Sequence, residues 1–168
     1  MTNIDIRSER ATDIATIRHI TKAAFAPMQY SSQTEAEIID ALRDAGALTL
    51  SLVAIEGGEV IGHVAFSPVT IDGEDKGWFG LGPVSVRPDR QKSGTGGRLI
   101  REGLARLVKT GAKGCVVLGE PDYYKRFGFE HHAALRLEGL PAEYFMAKAF
   151  EGPVPSGRVN YHAGFDAN

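Results

Sequence analysis

Cysteine, net charge and long apolar stretches are all scarce in this sequence of 168 residues. Its one cysteine, Cys115, excludes an internal disulfide, which agrees with a reducing compartment. The formal net charge of −2 gives no sign of a nucleic-acid or membrane-surface partner. Residues 1–10 lack the apolar core of a signal peptide, and no membrane span is visible. We therefore expect a cytoplasmic protein that binds neither nucleic acid nor membrane.

Two familiar phosphate-binding loops are absent as well. A P-loop ends in Gly-Lys-Ser/Thr, whereas Gly97 is followed here by Arg98 and Leu99. The dinucleotide fingerprint needs glycines at the first, third and sixth positions of the turn. Counted from Gly94, the sixth position is Leu99, so this spacing fails too.

A glycine-rich stretch is nevertheless present at residues 90–97, with the sequence Arg-Gln-Lys-Ser-Gly-Thr-Gly-Gly. It lies between a strand-like segment, 78–86, and an amphipathic helical pattern, 95–109. Glycines at a strand-to-helix junction allow close backbone approach, and the N–H groups there point outward at the positive end of the helix dipole. The stretch therefore predicts an anion site, most typically for phosphate.

Hydrophobic periodicity and turn residues predict the element order β α α β β β α β α β β, and so a mixed α/β sheet. Thr12-Asp13 and Thr34 are expected to cap the first two helices. Residues 144–150 fit a strand but also a helix. The seven predicted strands are 4–6, 48–55, 60–71, 78–86, 114–118, 134–137 and 144–150, and residues 157–162 could add a last one. The predicted helices are 12–25, 34–46, 95–109 and a short one from Pro121.

The fourth predicted strand, 78–86, is interrupted by Gly80, Gly82 and Pro83. Proline removes a hydrogen-bond donor and glycine marks bulges, so the segment is either an edge strand or a bulged central one. Because the element order places it centrally, we expect a bulge that separates it from the strand at Cys115.

The spacing Gln91-x-x-Gly94-x-Gly96 resembles the pyrophosphate loop of the GNAT superfamily of acyl-CoA N-acyltransferases. A second match, Tyr124-x-x-x-Gly128-Phe129, resembles an element that follows the fifth strand of that family. The resemblance covers about residues 4–150. Residues 157–161 are similar to the C-terminal strand of one bacterial subgroup of predicted N-acetyltransferases.

This resemblance implies a mixed, mostly antiparallel central sheet flanked by helices, with splayed fourth and fifth strands. It implies one N-acetyltransferase domain over residues 1–168, with its core at about 4–150 and a C-terminal strand and tail at 151–168. The implied co-substrate is acetyl-CoA, with no metal. The acetyl group would pass directly, in a ternary complex, to a small-molecule or peptide amine. A homodimer remains open.

The resemblance also assigns site residues. Tyr124 matches the general acid that protonates the departing thiolate, and Arg90, Lys92 and Arg98 could add charge near the phosphates. The pantetheine arm would bind the backbone of the fourth strand, and the pyrophosphate would bind loop N–H groups. The residues concerned are Leu81, Val84 and Val86 in the strand, and Gln91, Lys92, Ser93, Gly94, Thr95, Gly96 and Gly97 in the loop.

Two features of the family pattern are missing. The strand 78–86 has no carboxylate, and Gly119-Glu120-Pro121-Asp122 stands where the family usually has Asn. The general base therefore stays open among Glu120, His63, His131 and a water chain.

Other functions remain open beside the enzyme. The main alternative is a non-catalytic acyl-CoA-binding sensor or regulatory module, and a nucleotide-binding protein of another fold is a third hypothesis. Acceptor recognition in the family usually involves the first two helices and their linker. Here that region holds Phe25, Met28 and Tyr30.

Overall fold

A computed structural model describes residues 3–168. In chain order its strands are β1 (Ile4–Ser8), β2 (Leu50–Glu56), β3 (Glu59–Ile71), β4 (Trp78–Val86), β5 (Gly114–Leu118), β6 (Leu135–Arg136), β7 (Phe145–Ala149) and β8 (Gly157–Tyr161). Its α-helices are α1 (Ile14–Phe25), α2 (Glu35–Asp44), α3 (Thr95–Lys109) and α4 (Pro121–Tyr124). Short 3-10 turns connect several of these elements.

The central sheet runs in the order β1-β2-β3-β4-β5-β7. All neighbours are antiparallel except β4 and β5, which are parallel. β8 pairs antiparallel with the end of β3, and β6 pairs with β8. The predicted mixed, mostly antiparallel sheet with flanking helices is therefore confirmed.

The predicted break in the fourth strand is also confirmed. Val64 of β3 pairs with Val84, whereas Phe66 pairs with Leu81, so β4 carries one extra residue at Gly82–Pro83. β4 pairs with β5 over Trp78, Phe79 and Gly80 and no further. Beyond Gly80 the two strands part, as the resemblance implied.

The two faces of the sheet carry different apolar clusters. One face packs against α3 and includes Val64 and Phe66 of β3. The opposite face includes Val69 and Ile71, which alternate out of phase with the first pair. α3 covers the first face, and residues of β6 and β8 join the cluster on the second, so these strands are buried on both sides.

Some local predictions were wrong. Neither Asp13 nor Thr34 makes a side-chain cap at its helix, although both stand at the N-cap position. A 3-10 turn at Ala11–Asp13 precedes α1, and Asp13 instead accepts from the N–H of Arg10 at 2.7 Å. The predicted strand at 134–137 shrinks to β6, and the ambiguous segment 144–150 is strand β7.

No helix within residues 3–168 is long and apolar enough to cross a membrane.

A buried polar chain joins β1, β2 and β3 beneath the first two helices. The Ser51 hydroxyl donates to Glu9, which Arg43 also pairs with at 2.8 Å. Because its one hydrogen is used, Ser51 accepts from Nε2 of His63, 2.7 Å away. Nδ1 of His63 then has no partner in residues 3–168, and burial lowers the pKa of His63 to about 4.

This histidine predicts a loss of stability in mild acid. The unfolded chain takes up a proton on His63 near pH 6.5, whereas the folded chain resists it until about pH 4. The free energy of unfolding is therefore fully kept above pH 6.5 and falls by about 2 kcal/mol between pH 7 and pH 5. Urea unfolding of wild type and His63→Gln at both pH values measures this fall in the free energy of unfolding, which the glutamine variant should lack.

The exposed His19 of α1 supplies the control, and His19→Gln should keep the wild-type pH dependence. Equal pH dependence in wild type and His63→Gln would contradict the assignment. The range above pH 5 keeps Glu9 out of the measurement: burial disfavours its charge, but hydrogen bonds from Arg43 and Ser51 hold the pKa of Glu9 below its usual range.

Candidate active site

The glycine loop presents a continuous row of free backbone donors. None of the seven N–H groups from Gln91 to Gly97 donates to any acceptor in residues 3–168. Lys92 and Gly94 hold the turn open with left-handed φ angles of 66° and 86°. An ordinary helix start leaves four N–H groups unpaired, so this loop exceeds that number. Such a row at the positive end of α3 can hold a polyanion.

Positive side chains surround a cavity of about 390 Å³ at this loop. Arg101 lies over the Phe127 ring at 4.9 Å and Arg126 over the Tyr123 ring at 4.7 Å, which fixes both guanidinium groups there. Lys92 also lines the cavity. Neither Arg101 nor Arg126 was predicted, since each lies on a helical surface where a cation needs no special explanation.

The other predicted cations are engaged elsewhere. Arg90 lines the cavity but pairs with Glu56 at 2.6 Å. Arg98 donates to the carbonyl of Ile4 at 2.8 Å, which ties α3 to β1. These two arginines therefore stabilise the structure around the loop more than they add positive charge to the cavity.

Two loop side chains stabilise the loop itself. Ser93 Oγ donates to the carbonyl of Arg90 at 2.5 Å and lies 2.8 Å from Thr95 Oγ1. Gln91 Nε2 donates to the carbonyl of Val86 at 3.1 Å, which fastens the loop to the end of β4. With these contacts made inside the loop, its backbone groups are left for a ligand.

A larger cleft of about 920 Å³ opens where β4 and β5 part. Leu81 and Val84 of β4 line one wall, and Leu118 and Gly119 at the end of β5 line the other. Val86 lies farther along β4, against the loop cavity. Between Leu81 and Val86, β4 has no strand partner on the β5 side, so backbone groups there can bind an extended ligand.

Tyr124 enters this cleft from α4. Its ring meets Tyr123 edge-on at 5.0 Å and Phe129 at 6.2 Å, and it lies against Gly119, where no side chain would fit. Burial raises the pKa of Tyr124 to about 12, so the hydroxyl keeps its proton at any ordinary pH. Its helix neighbour Tyr123 is half-buried and borders both cavities.

The candidate general bases differ in whether they line the cleft. Glu120 lines the cleft and is exposed, with no ion-pair partner in the described part of the chain. His63 lies under α1 and α2, away from the cleft, and holds its proton only in acid. His131 points to the carbonyl of Phe145 at 3.3 Å and does not line the cleft.

The linker between α1 and α2 forms another part of the wall. Phe25, Met28 and Tyr30 all line the cleft, with Tyr30 87% exposed. An aromatic ring left so open is available to a ligand. These are the residues to which the sequence pointed for acceptor recognition.

A further part of the wall was not predicted. Ten of the 24 lining residues lie beyond residue 132, among them Tyr161 at the end of β8 and Phe165 in the turn after it. The sequence predicted a strand at 157–162, but its place beside the cleft depends on pairing with β3, which is distant in sequence.

Cys115 takes no part in the cleft surface. It is fully buried in β5, and burial raises the pKa of its thiol. Within residues 3–168 no group of three or more His, Cys, Asp or Glu side chains could hold a metal ion.

Comparisons with known proteins agree on one family. The family described as acetyltransferase (GNAT) domain matches residues 5–132. The uncharacterized N-acetyltransferase YhbS of Escherichia coli is 38% identical over 144 residues, which cover 82% of this chain and 86% of YhbS.

Two solved structures are similar over nearly the whole chain. A GNAT family acetyltransferase from Brucella melitensis, in complex with acetyl-CoA, is 57% identical with a TM-score of 0.88, over 98% of this chain and 99% of that chain. YhbS in complex with CoA is 36% identical with a TM-score of 0.89, over 99% of this chain and 93% of that chain. The chain thus belongs to the GNAT family of acetyltransferases.

Proposed function

We propose that the protein transfers the acetyl group of acetyl-CoA directly to an amine within a ternary complex. The observation that carries this proposal is the row of seven free N–H groups beside the parting of β4 and β5. The similar Brucella melitensis protein binds acetyl-CoA, which supports the same co-substrate here. We also propose one catalytic domain over residues 1–168 and a cytoplasmic location, and a homodimer stays open.

The cofactor would lie along the loop and the free edge of β4. The N–H groups of the seven loop residues would hold the pyrophosphate, with Lys92, Arg101 and Arg126 as counter-charges. The pantetheine arm would pair with the backbone of Leu81, Val84 and Val86, in the place that a neighbouring strand would otherwise occupy. This arrangement leads the thioester into the cleft beside Tyr124.

Acetyl transfer requires the attack of a neutral amine on the thioester carbon. A C–N bond forms, the C–S bond breaks, the nitrogen loses one proton and the sulfur gains one. Tyr124 would give its proton to the departing thiolate and recover one from solvent. Of the base candidates taken from the sequence, Glu120 is the one that lines the cleft, and it would take the amine proton through water.

The acceptor would enter by the open side of the cleft. Phe25, Met28 and Tyr30 offer an apolar and aromatic surface for a small-molecule or peptide amine.

Ligand-induced stabilisation tests the loop directly. Acetyl-CoA at about 100 times its dissociation constant should raise the melting temperature by roughly 5–10 °C. ATP and NAD should raise it much less, because neither has an arm to fill the edge of β4. A differential scanning fluorimetry comparison decides this, and a protein stabilised by ATP or NAD but not by acetyl-CoA would contradict the proposal.

A backbone substitution tests which part of the loop binds. Gly94→Ala places a side chain at φ 86°, which distorts the row of donors although no atom lies within 4 Å of the new methyl. Acetyl-CoA binding should weaken roughly tenfold or more, because hydrogen bonds to charged groups are lost. Isothermal titration calorimetry provides the measurement.

Gly58→Ala is the matched control, with φ 80°, equal free space and a position in the β2–β3 turn. Both variants should lose a similar amount of stability, but Gly58→Ala should bind acetyl-CoA as wild type does. If both bind equally well, the loop is not the pyrophosphate site.

The acid role predicts a selective loss of rate in Tyr124→Phe. The turnover number should fall about 100-fold while acetyl-CoA binding stays unchanged, since the phenyl ring keeps its packing. Because the pKa of Tyr124 is about 12, its loss should not move any limb of the pH–rate profile below pH 10. Release of CoA is followed with a thiol reagent over a panel of primary amines.

Amine-dependent CoA release at the wild-type rate in Tyr124→Phe would remove the acid assignment. A wild-type protein that binds acetyl-CoA and releases no CoA with any amine would instead favour the sensor function.

A further inference from the structure

Tyr161 adds a further phenol to the cleft, which Tyr30, Tyr123 and Tyr124 also line. Its ring packs against Phe165, with centroids 4.9 Å apart, and against Gly80 of β4, where a built Cβ would lie 2.5 Å from the ring. The residue lines the cleft, yet nothing in residues 3–168 hydrogen-bonds to its hydroxyl. The ring is thus held in place, while its hydroxyl can donate to or accept from a ligand in the cleft.

Tyr124 and Tyr161 lie on opposite faces of the sheet. Tyr124 packs with the cluster that includes Phe79 and faces α3. Tyr161 packs with the opposite cluster, which includes Trp78 and Val116. Side chains alternate along β4, so consecutive Trp78 and Phe79 fix the two faces independently. The thioester would reach the parting from the α3 side, where the loop lies.

This placement gives Tyr124 and Tyr161 different roles. Tyr124 lies on the cofactor side of the parting, where the sulfur would be. Tyr161 lies on the opposite face of the sheet and lines the same cleft as the linker residues Met28 and Tyr30. An amine that attacks the thioester carbon from that side would pass the Tyr161 hydroxyl.

We propose that Tyr161 is an acceptor-binding residue, whose hydroxyl oxygen accepts a hydrogen bond from the attacking amine and so directs the nitrogen lone pair at the thioester carbon. The inference rests on the proposed function. Tyr161 moves no proton in this role. Burial raises the pKa of Tyr161 above its usual range, so the phenol is neutral and can neither remove the amine proton nor titrate during an assay.

The acceptor side of the cleft is then built partly by a segment outside the matched family domain. The family match ends at residue 132, whereas Tyr161 and Phe165 come from the segment 133–168. Phe165 also packs against Ile38 and Leu42 of α2, which fixes the turn that supports Tyr161. This C-terminal segment therefore contributes to the choice of acceptor.

Tyr161→Phe tests the inference because it removes the hydroxyl and keeps the ring. The probes are a short alkylamine, a diamine, an aminoglycoside and a tripeptide with a free amino terminus, each assayed for CoA release. For any amine that wild type acetylates, the KM for the amine should rise about 3–10-fold, the value of one neutral hydrogen bond. The KM for acetyl-CoA and the limbs of the pH profile should not change.

Tyr144→Phe is the matched control, since Tyr144 is 37% exposed and does not line the cleft. It should leave all these constants at wild-type values. Tyr161→Phe with an unchanged amine KM overturns the inference. A matching rise in the KM for acetyl-CoA also overturns it, because the residue would then serve the cofactor or the fold in general.

Failure of the proposed function can be distinguished from failure of this inference about Tyr161. If wild type binds acetyl-CoA but releases no CoA with any probe, the enzyme function fails, and each probe is titrated by calorimetry into the CoA-loaded protein. Weaker amine binding in Tyr161→Phe than in Tyr144→Phe would still support an amine site at Tyr161. No binding of any probe to wild type would overturn it.

Discussion

The parting of β4 from β5 is the constraint on which the site depends. Parallel pairing over Trp78, Phe79 and Gly80 holds the two strands together at one end, and the extra residue at Gly82–Pro83 lets β4 leave its neighbour at the other. A regular strand would close this gap and satisfy its own backbone. Because β3 on the far side keeps its pairing through Val86, β4 can leave one edge open without losing its place in the sheet.

The open edge of β4 can form part of a binding site because α3 starts beside it. Gln91 fastens the loop to Val86, so the free N–H row begins where the free strand edge ends. One ligand with a polyanion and an extended amide arm fits both features, which neither a nucleotide nor a simple phosphate would do. The arginines stacked on Phe127 and Tyr123 add charge without adding flexibility, since each guanidinium is held against a ring.

The sequence predicted these features to different degrees. Glycine spacing and the interruptions at Gly82 and Pro83 act locally, so the loop, the bulge and the position of Tyr124 could be predicted from short segments. The caps at Asp13 and Thr34 were wrong because each side chain had a competing partner: Asp13 pairs with Arg7 at 2.7 Å, and Thr34 lies 2.6 Å from the Ser32 hydroxyl.

The strand at the C-terminal end could be predicted, but its place beside the cleft could not, because that place depends on pairing with a strand distant in sequence. Nothing in residues 157–161 indicates that they pair with Val69 to Ile71, yet this pairing sets Tyr161 against Gly80. Gly80 is the last residue of β4 to pair with β5, and the absence of a side chain at Gly80 leaves the space that the Tyr161 ring fills. The same residue thus connects the strand edge proposed for the cofactor with the wall proposed for the acceptor. A side chain at position 80 would displace the ring, and the two halves of the site would lose their fixed relation.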